Sequence, residues 1–199
     1  FSKDKNIFTY NVGLGRENTT SKLFLSPANE GASASLLKPS GHLKYHPEII
    51  FEDTENIEIC LYDDFDLNNV NFLNIDIQGY ELEALKGSEN SLKKYIDYIC
   101  IEISREEMYE DAILKNQLDT YLKDFEFIRV STRWASSKIP WGDAFYIKKT
   151  KVNTYKKIFS VINKFFEGFK FYYLFIDPYR KFNSWKYQKK QNIKKHLKF

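Results

Sequence analysis

Leu73-Asn74-Ile75-Asp76-Ile77-Gln78-Gly79-Tyr80-Glu81-Leu82-Glu83-Ala84-Leu85-Lys86-Gly87 is an apolar run closed by an acid, followed by a glycine-containing turn and an amphipathic stretch that stops at a second glycine. The short continuous run from Phe72 to Ile77 reads as a buried strand, and the spacing of Leu82, Leu85 and Lys86 predicts a helix. Strand, turn and helix in that order form the unit of a buried parallel sheet. In an open α/β sheet, ligands sit outside the carboxyl ends of the strands, and Asp76 stands at such an end. Gly79 lets the backbone turn sharply there, while Glu81 falls in the first helical turn, where a negative charge suits the helix N-terminus. Two readings of Asp76 stay open on these grounds: a carboxylate facing a ligand, or a structural strand end.

Outward from this unit, Ile7 to Val12 alternates and is rich in β-formers, which predicts a strand ending in Gly13-Leu14-Gly15. Ser21 to Leu25 is a second short strand. Ser26 to Pro47 fills with Ser, Gly, Pro, Asn and Ala, a long loop of the kind that tends to be functional. Ile57 to Leu61 is a further strand, after which Asp63-Asp64-Phe65-Asp66 turns the chain. Downstream, Ser91 to Tyr95 is helical, Ile96 to Ile103 is the next buried strand, Leu114 to Leu122 has helical spacing, and Phe125 to Val130 and Ala144 to Ile147 are strands. The alternation argues for an α/β sheet with a hairpin at its end.

The 199 residues carry 30 Lys+Arg and 27 Asp+Glu with 43% hydrophobic residues, which suits a folded chain of one domain plus an appendage and excludes a disordered one. The net charge of +3 hides a split. Residues 1–150 hold 17 basic and 25 acidic groups, and residues 151–199 hold 13 and 2, so a body of −8 carries a tail of +11. In that tail Ile158, Phe159, Val161, Ile162, Phe165, Phe166 and Phe169 recur at helical spacing until Pro178, and Tyr179 to Phe199 is basic with scattered aromatics. Lys164, Glu167 and Lys170 interrupt the apolar stretch well short of the roughly 20 residues a membrane-spanning helix needs. Cys60 and Cys100 lie inside apolar runs without ligand or redox spacing and read as core thiols of a reducing compartment, hence a cytoplasmic location.

Asp76-Ile77-Gln78-Gly79-Tyr80-Glu81 with Leu85-Lys86-Gly87 resembles the signature of the FkbM-type methyltransferase family. Asn11-Val12-Gly13-Leu14-Gly15, Ser33-Ala34-Ser35-Leu36-Leu37, Leu61-Tyr62-Asp63-Asp64-Phe65, Ile101-Glu102-Ile103 and Trp141-Gly142-Asp143-Ala144-Phe145 match in the family's order, over roughly residues 7–148. The resemblance implies a Rossmann-like class I methyltransferase sheet, S-adenosylmethionine as cofactor, and O-methylation of a sugar or polyketide hydroxyl. A sugar acceptor in glycan or polysaccharide biosynthesis is the leading expectation. The glycine-rich strand–loop that opens the family's cofactor site is not among the 8 glycines of this chain. The expectation is therefore a catalytic domain over 1–150 that lacks its first strands, followed by the helical basic tail over 151–199.

On that resemblance Asp76, Gln78 and Glu81 are the candidate catalytic residues, with Asp76 also a cofactor contact and Asn11 a second one near the adenine. Glu102, Trp134 and Trp141 are candidate acceptor contacts, since aromatic faces stack on sugar rings, and Arg129, Arg133 and Lys138 would face an anionic glycan. No ligand set with defined spacing marks a metal: Asp63, Asp64 and Asp66 read as a solvated turn, and Pro39, Gly41 and Pro47 argue against a helix that would align His42 with His46 for zinc. The tail fits an anionic membrane surface at the inner face, or equally a helix packed on the body or on a second subunit. Nucleic acid uses the same features but finds no recognised binding motif. A second function from a different class is a catalytically inactive, truncated methyltransferase-like binding or scaffold protein at a membrane.

Overall fold

Isoleucine alternation in Tyr98-Ile99-Cys100-Ile101-Glu102-Ile103-Ser104 builds the strand around which the larger sheet forms: Ile99, Ile101 and Ile103 are buried and the residues between them half-buried. The computed structural model describes residues 7–51, 53–136 and 138–152. The segment 153–199, with the amphipathic-helix, membrane and nucleic-acid readings placed on it, lies outside the described residues. Within them the order is β1 (Gly13–Leu14), β2 (Thr19–Phe24), α1 (His42–Tyr45), β3 (Thr54–Cys60), β4 (Phe72–Ile75), α2 (Glu81–Lys86), α3 (Glu89–Lys94), β5 (Tyr98–Ser104), α4 (Lys115–Asp124), β6 (Phe127–Trp134) and β7 (Trp141–Lys148).

These strands divide between two sheets, ordered β1-β3-β2 and β4-β5-β7-β6, where a single sheet was expected. Among the described residues β4 pairs with β5 alone, so no backbone ladder joins the two sheets. The expected parallel unit is present: β4 and β5 run parallel with Ile75 opposite Ile101, and β7 closes antiparallel on both β5 and β6. The terminal pair is longer than its apolar runs predicted, because β6 and β7 stay paired out to Trp134 opposite Gly142. Gly142 permits this, since a Cβ there would stand 2.3 Å from the Arg133 carbonyl oxygen.

The core lies on the isoleucine face. Leu85 of α2, Leu92 of α3, and Leu118 and Leu122 of α4 pack there with Leu73 and Ile75 of β4, Ile99, Ile101 and Ile103 of β5, and Trp134 and Tyr146. Each fully buried leucine or isoleucine contributes roughly 1.5–3 kcal/mol relative to exposure. Gln117 closes the start of α4 by accepting the Leu114 N–H at 2.9 Å. Cys60 and Cys100 prove half-buried rather than buried, because Cys60 follows the buried Ile59 and Cys100 lies between the buried Ile99 and Ile101, each pointing to the opposite side of its strand.

Three other expectations are corrected. The first strand is confined to Gly13–Leu14, pairing with Ile59 and Cys60, so Ile7 to Val12 is an approach without strand pairing. A helical turn does form at His42–Tyr45, since Pro39 and Gly41 precede it and Pro47 follows it. The acidic turn after β3 is not simply solvated: Asp63 accepts the Asn90 and Ser91 N–H groups at 2.7 and 2.9 Å and so caps α3. No helix among the described residues is long and apolar enough to cross a membrane.

Candidate site at the carboxyl ends of the parallel strands

Asp76 and Glu102 each follow the parallel pair Ile75 and Ile101 by one residue, so pairing register alone brings the two acids together. After Asp76 the chain reverses through Gln78 and Gly79, both in the left-handed region at φ 55° and 98°. At Gly79 a Cβ would also meet Tyr109 Cδ2 at 3.1 Å and Ala112 Cβ at 3.2 Å. Hydrogen bonds lock this turn from three directions. Glu81 Oε1 accepts the Ile77 and Gly79 N–H groups at 3.2 and 3.0 Å. The Ser35 hydroxyl donates to the Gln78 carbonyl at 2.7 Å, and Gln78 Nε2 donates to Asp76 Oδ1 at 2.8 Å. The Tyr109 hydroxyl stands 2.9 Å from Gln78 Oε1 and 3.1 Å from the Ser33 carbonyl oxygen.

A cavity of about 260 Å³ opens beside the turn. It is lined by Gln78, Gly79, Glu81 and Glu102 to Ser104, by Asn29, Ser33, His42 and His46 of the long loop and Ile49 just after it, and by Tyr109 and Trp141. Its described lining contains no lysine or arginine. Burial pushes the Glu102 carboxyl up to about 8, and the Asp76, Glu81 and Asp143 charges push in the same direction. Burial likewise raises Glu81, against which the backbone N–H groups of Gly79 and Ile77 act. The Tyr109 phenol is held well above its ordinary range, first by burial and then by the Glu102 charge. His42 is lowered, chiefly by burial and then by His46, so it is neutral near pH 7. Its Nε2 stands 3.1 Å from Ser33 Oγ, and His46 Nδ1 lies 3.0 Å from Glu48 Oε1.

The candidate residues therefore separate. Gln78, Glu81, Glu102 and Trp141 line one cavity. Asp76 is exposed beside it, held by Gln78. Asn11 is exposed and precedes β1, where the sequence reading put it at a strand end. Trp134 is 1% exposed in the core, its ring centroid 3.9 Å from the Arg105 guanidinium carbon, and it does not line the cavity. Arg129, read as facing a glycan, is buried against Asp119, with Nε and Nη2 at 2.9 and 3.1 Å from its two carboxylate oxygens. Tyr109, Ser33 and Ser35 were not singled out as site residues. For the serines the Ser33 to Leu37 resemblance was the available signal, and for Tyr109 the sequence offers none.

Carboxylate oxygens of Asp76, Glu81 and Glu102 all lie within 4.8 Å of one another, close enough to share a cation. The sequence reading contained no such ligand set. Two of the three are already committed, Asp76 to Gln78 and Glu81 to backbone N–H groups.

The cavity with its two lining acids lies near the carboxyl ends of two parallel strands, where open α/β sheets as a class place their ligands. The model of the methyltransferase FkbM domain matches residues 2–130, and the chain belongs to that family. No curated protein and no solved structure matches it.

Proposed function

We propose that the chain is an S-adenosylmethionine-dependent O-methyltransferase whose acceptor is a sugar hydroxyl. The observation that carries this reading is the cavity itself, which brings Glu81 and Glu102 together with Trp141, with Asp76 beside it, and whose described lining contains no lysine or arginine. The exposed Asp76 carboxylate beside an acid-lined cavity suits the positive charge of a sulfonium, and in this the residues present fit the donor. When bound, that donor supplies an electrophilic methyl group on a cationic sulfur. Asp76, exposed at the rim, would hold its charged end.

The remaining work belongs to the chain's own side chains. Trp141 offers a face on which a sugar ring stacks, and Gln78 and Tyr109 fix the turn that separates Asp76 from the cavity. Methyl transfer asks the protein chiefly to align two reactants, which contributes by removing translational and rotational freedom before reaction. His42, Ser33 and Asn29 from the long loop contribute to the same cavity lining as Glu81 and Glu102.

Incubation of the chain with the methyl-labelled donor and a panel of neutral sugars tests the reading by mass spectrometry. An O-methylated sugar that disappears with Asp76→Asn supports it; a folded chain that labels none of them contradicts it. The alternative of a non-catalytic scaffold parts from this reading at donor binding, which calorimetry with S-adenosylhomocysteine measures.

A further inference from the structure

The geometry points to Glu102 as the group that takes the acceptor hydroxyl's proton, an assignment that rests on the methyltransferase reading and gives that chemistry to β5 rather than to the Asp76 turn. Three carboxylates meet at the strand ends, and they are not equivalent. Glu81 spends one oxygen on two backbone N–H groups and is 4% exposed. Asp76 is held by Gln78 and does not line the cavity. Glu102 lines the cavity, and among the described residues its carboxyl has no hydrogen-bond partner. A proton acceptor must reach the reacting hydroxyl directly or through one water, and Glu102 alone of the three combines access with a free carboxyl.

Two imidazoles compete for the role. His42 is excluded by access, because its Nδ1 is sealed from solvent and its Nε2 meets Ser33. His46 stands toward the surface with Nδ1 on Glu48, and it enters the test as a rival.

The surroundings favour Glu102 when it is protonated. Asp76 of the strand-end turn, Glu81 of α2 and Asp143 of β7 face it with negative charge, Tyr109 adds a phenol, Cys100 lies two residues back on the same strand face, and His42 and His46 line the same cavity. Accepting a proton relieves repulsion among the acids. As the hydroxyl oxygen's lone pair forms the new O–C bond, the C–S bonding electrons stay on sulfur and the hydroxyl proton passes to a Glu102 oxygen. A sulfonium cation and a carboxylate anion thereby end as a neutral thioether and a neutral acid. In a desolvated cavity that loss of charge is favourable.

The test uses the full chain in two measurements. Carbon-13 NMR of the carboxyl groups without donor should show Glu102 titrating near 8, and Asp76→Asn should lower that midpoint by removing a negative neighbour. Transfer kinetics should show Glu102→Gln lowering kcat about 10²–10⁴-fold with the acceptor KM changed only a few-fold. Glu102→Asp, which keeps a carboxylate, should recover part of the loss and carries the test if the glutamine variant fails to fold. A midpoint in the ordinary range near 4, a Glu102→Gln enzyme of near-normal kcat, or a larger loss in His46→Asn overturns the assignment. A wild-type chain that methylates no hydroxyl overturns the reading beneath it, whereas an active wild type with an equally active Glu102→Gln removes Glu102 alone.

Discussion

Asp76, just past the end of β4, and Glu102, two residues before the end of β5, occupy equivalent register positions one residue past the pair Ile75 and Ile101, with carboxylate oxygens within 4.8 Å. Backbone register, not side-chain attraction, holds the two carboxyl groups at this distance. They differ in what surrounds them: Asp76 is exposed and hydrogen-bonded, whereas Glu102 is half-buried and, among the described residues, its carboxyl has no hydrogen-bond partner.

That difference has a stability consequence. The folded chain keeps the Glu102 proton up to about pH 8, whereas the unfolded chain releases it near 4.5. The stability that a neutral Glu102 permits is fully present below about 4.5 and is lost as pH rises toward 8. Glu102→Gln, neutral throughout, should therefore gain stability relative to wild type at about pH 9 compared with about pH 5. Urea midpoints at the two pH values measure this, and an equal difference at both would contradict the burial of an ionisable group there.

Gly79 is required by its backbone and its neighbours together. Gly79→Ala should destabilise by about 1–3 kcal/mol, because φ 98° strains any L residue and the added methyl meets Tyr109 and Ala112. Chemical denaturation reads the loss, and a cost below about 0.5 kcal/mol would show that the turn relaxes freely.

Ion pairs in this chain should separate by burial. Asp119→Ala takes the bidentate acceptor from Arg129, 3% exposed, and also removes an acceptor of the Tyr146 hydroxyl at 3.1 Å. It should cost about 3–5 kcal/mol. Glu110→Ala removes the Lys38 pair, whose side chains are 62% and 51% exposed, and should cost less than about 1 kcal/mol. Denaturant unfolding of the two variants side by side decides whether burial sets the order.

Gln78→Ala should lower methyl transfer with little change in stability. It releases Asp76 and the Tyr109 hydroxyl at once, yet each lost hydrogen bond contributes only about 0.5–1.5 kcal/mol net. Paired kinetics and unfolding on one preparation check this; a large drop in stability with normal kcat would make Gln78 purely structural.

The strand–turn–helix around Asp76 was legible because its signals are local: an apolar run, a glycine, then helical spacing. So was the parallel neighbour that carries Glu102. The division into two sheets was not, since strand pairing is a property of distant residues and β1 contributes only Gly13 and Leu14. Trp134 and Trp141 look alike in the sequence, and only the β6–β7 register sends one to the core and the other to the cavity. Arg129 reads as a surface cation until Asp119, ten residues earlier on α4, is seen to hold it. The cavity wall from Asn29 to Ile49 has no periodicity to read, and an acid at a strand end gives no sign of whether it is solvated or enclosed.

Transfer of a carbon-13 methyl group from labelled S-adenosylmethionine to a neutral sugar by the full chain tests the proposed chemistry most directly. The expected result is a new O-methyl signal on the sugar that falls at least about tenfold with Asp76→Asn and about 10²-fold or more with Glu102→Gln. A folded wild-type chain that leaves every sugar hydroxyl unlabelled would contradict it.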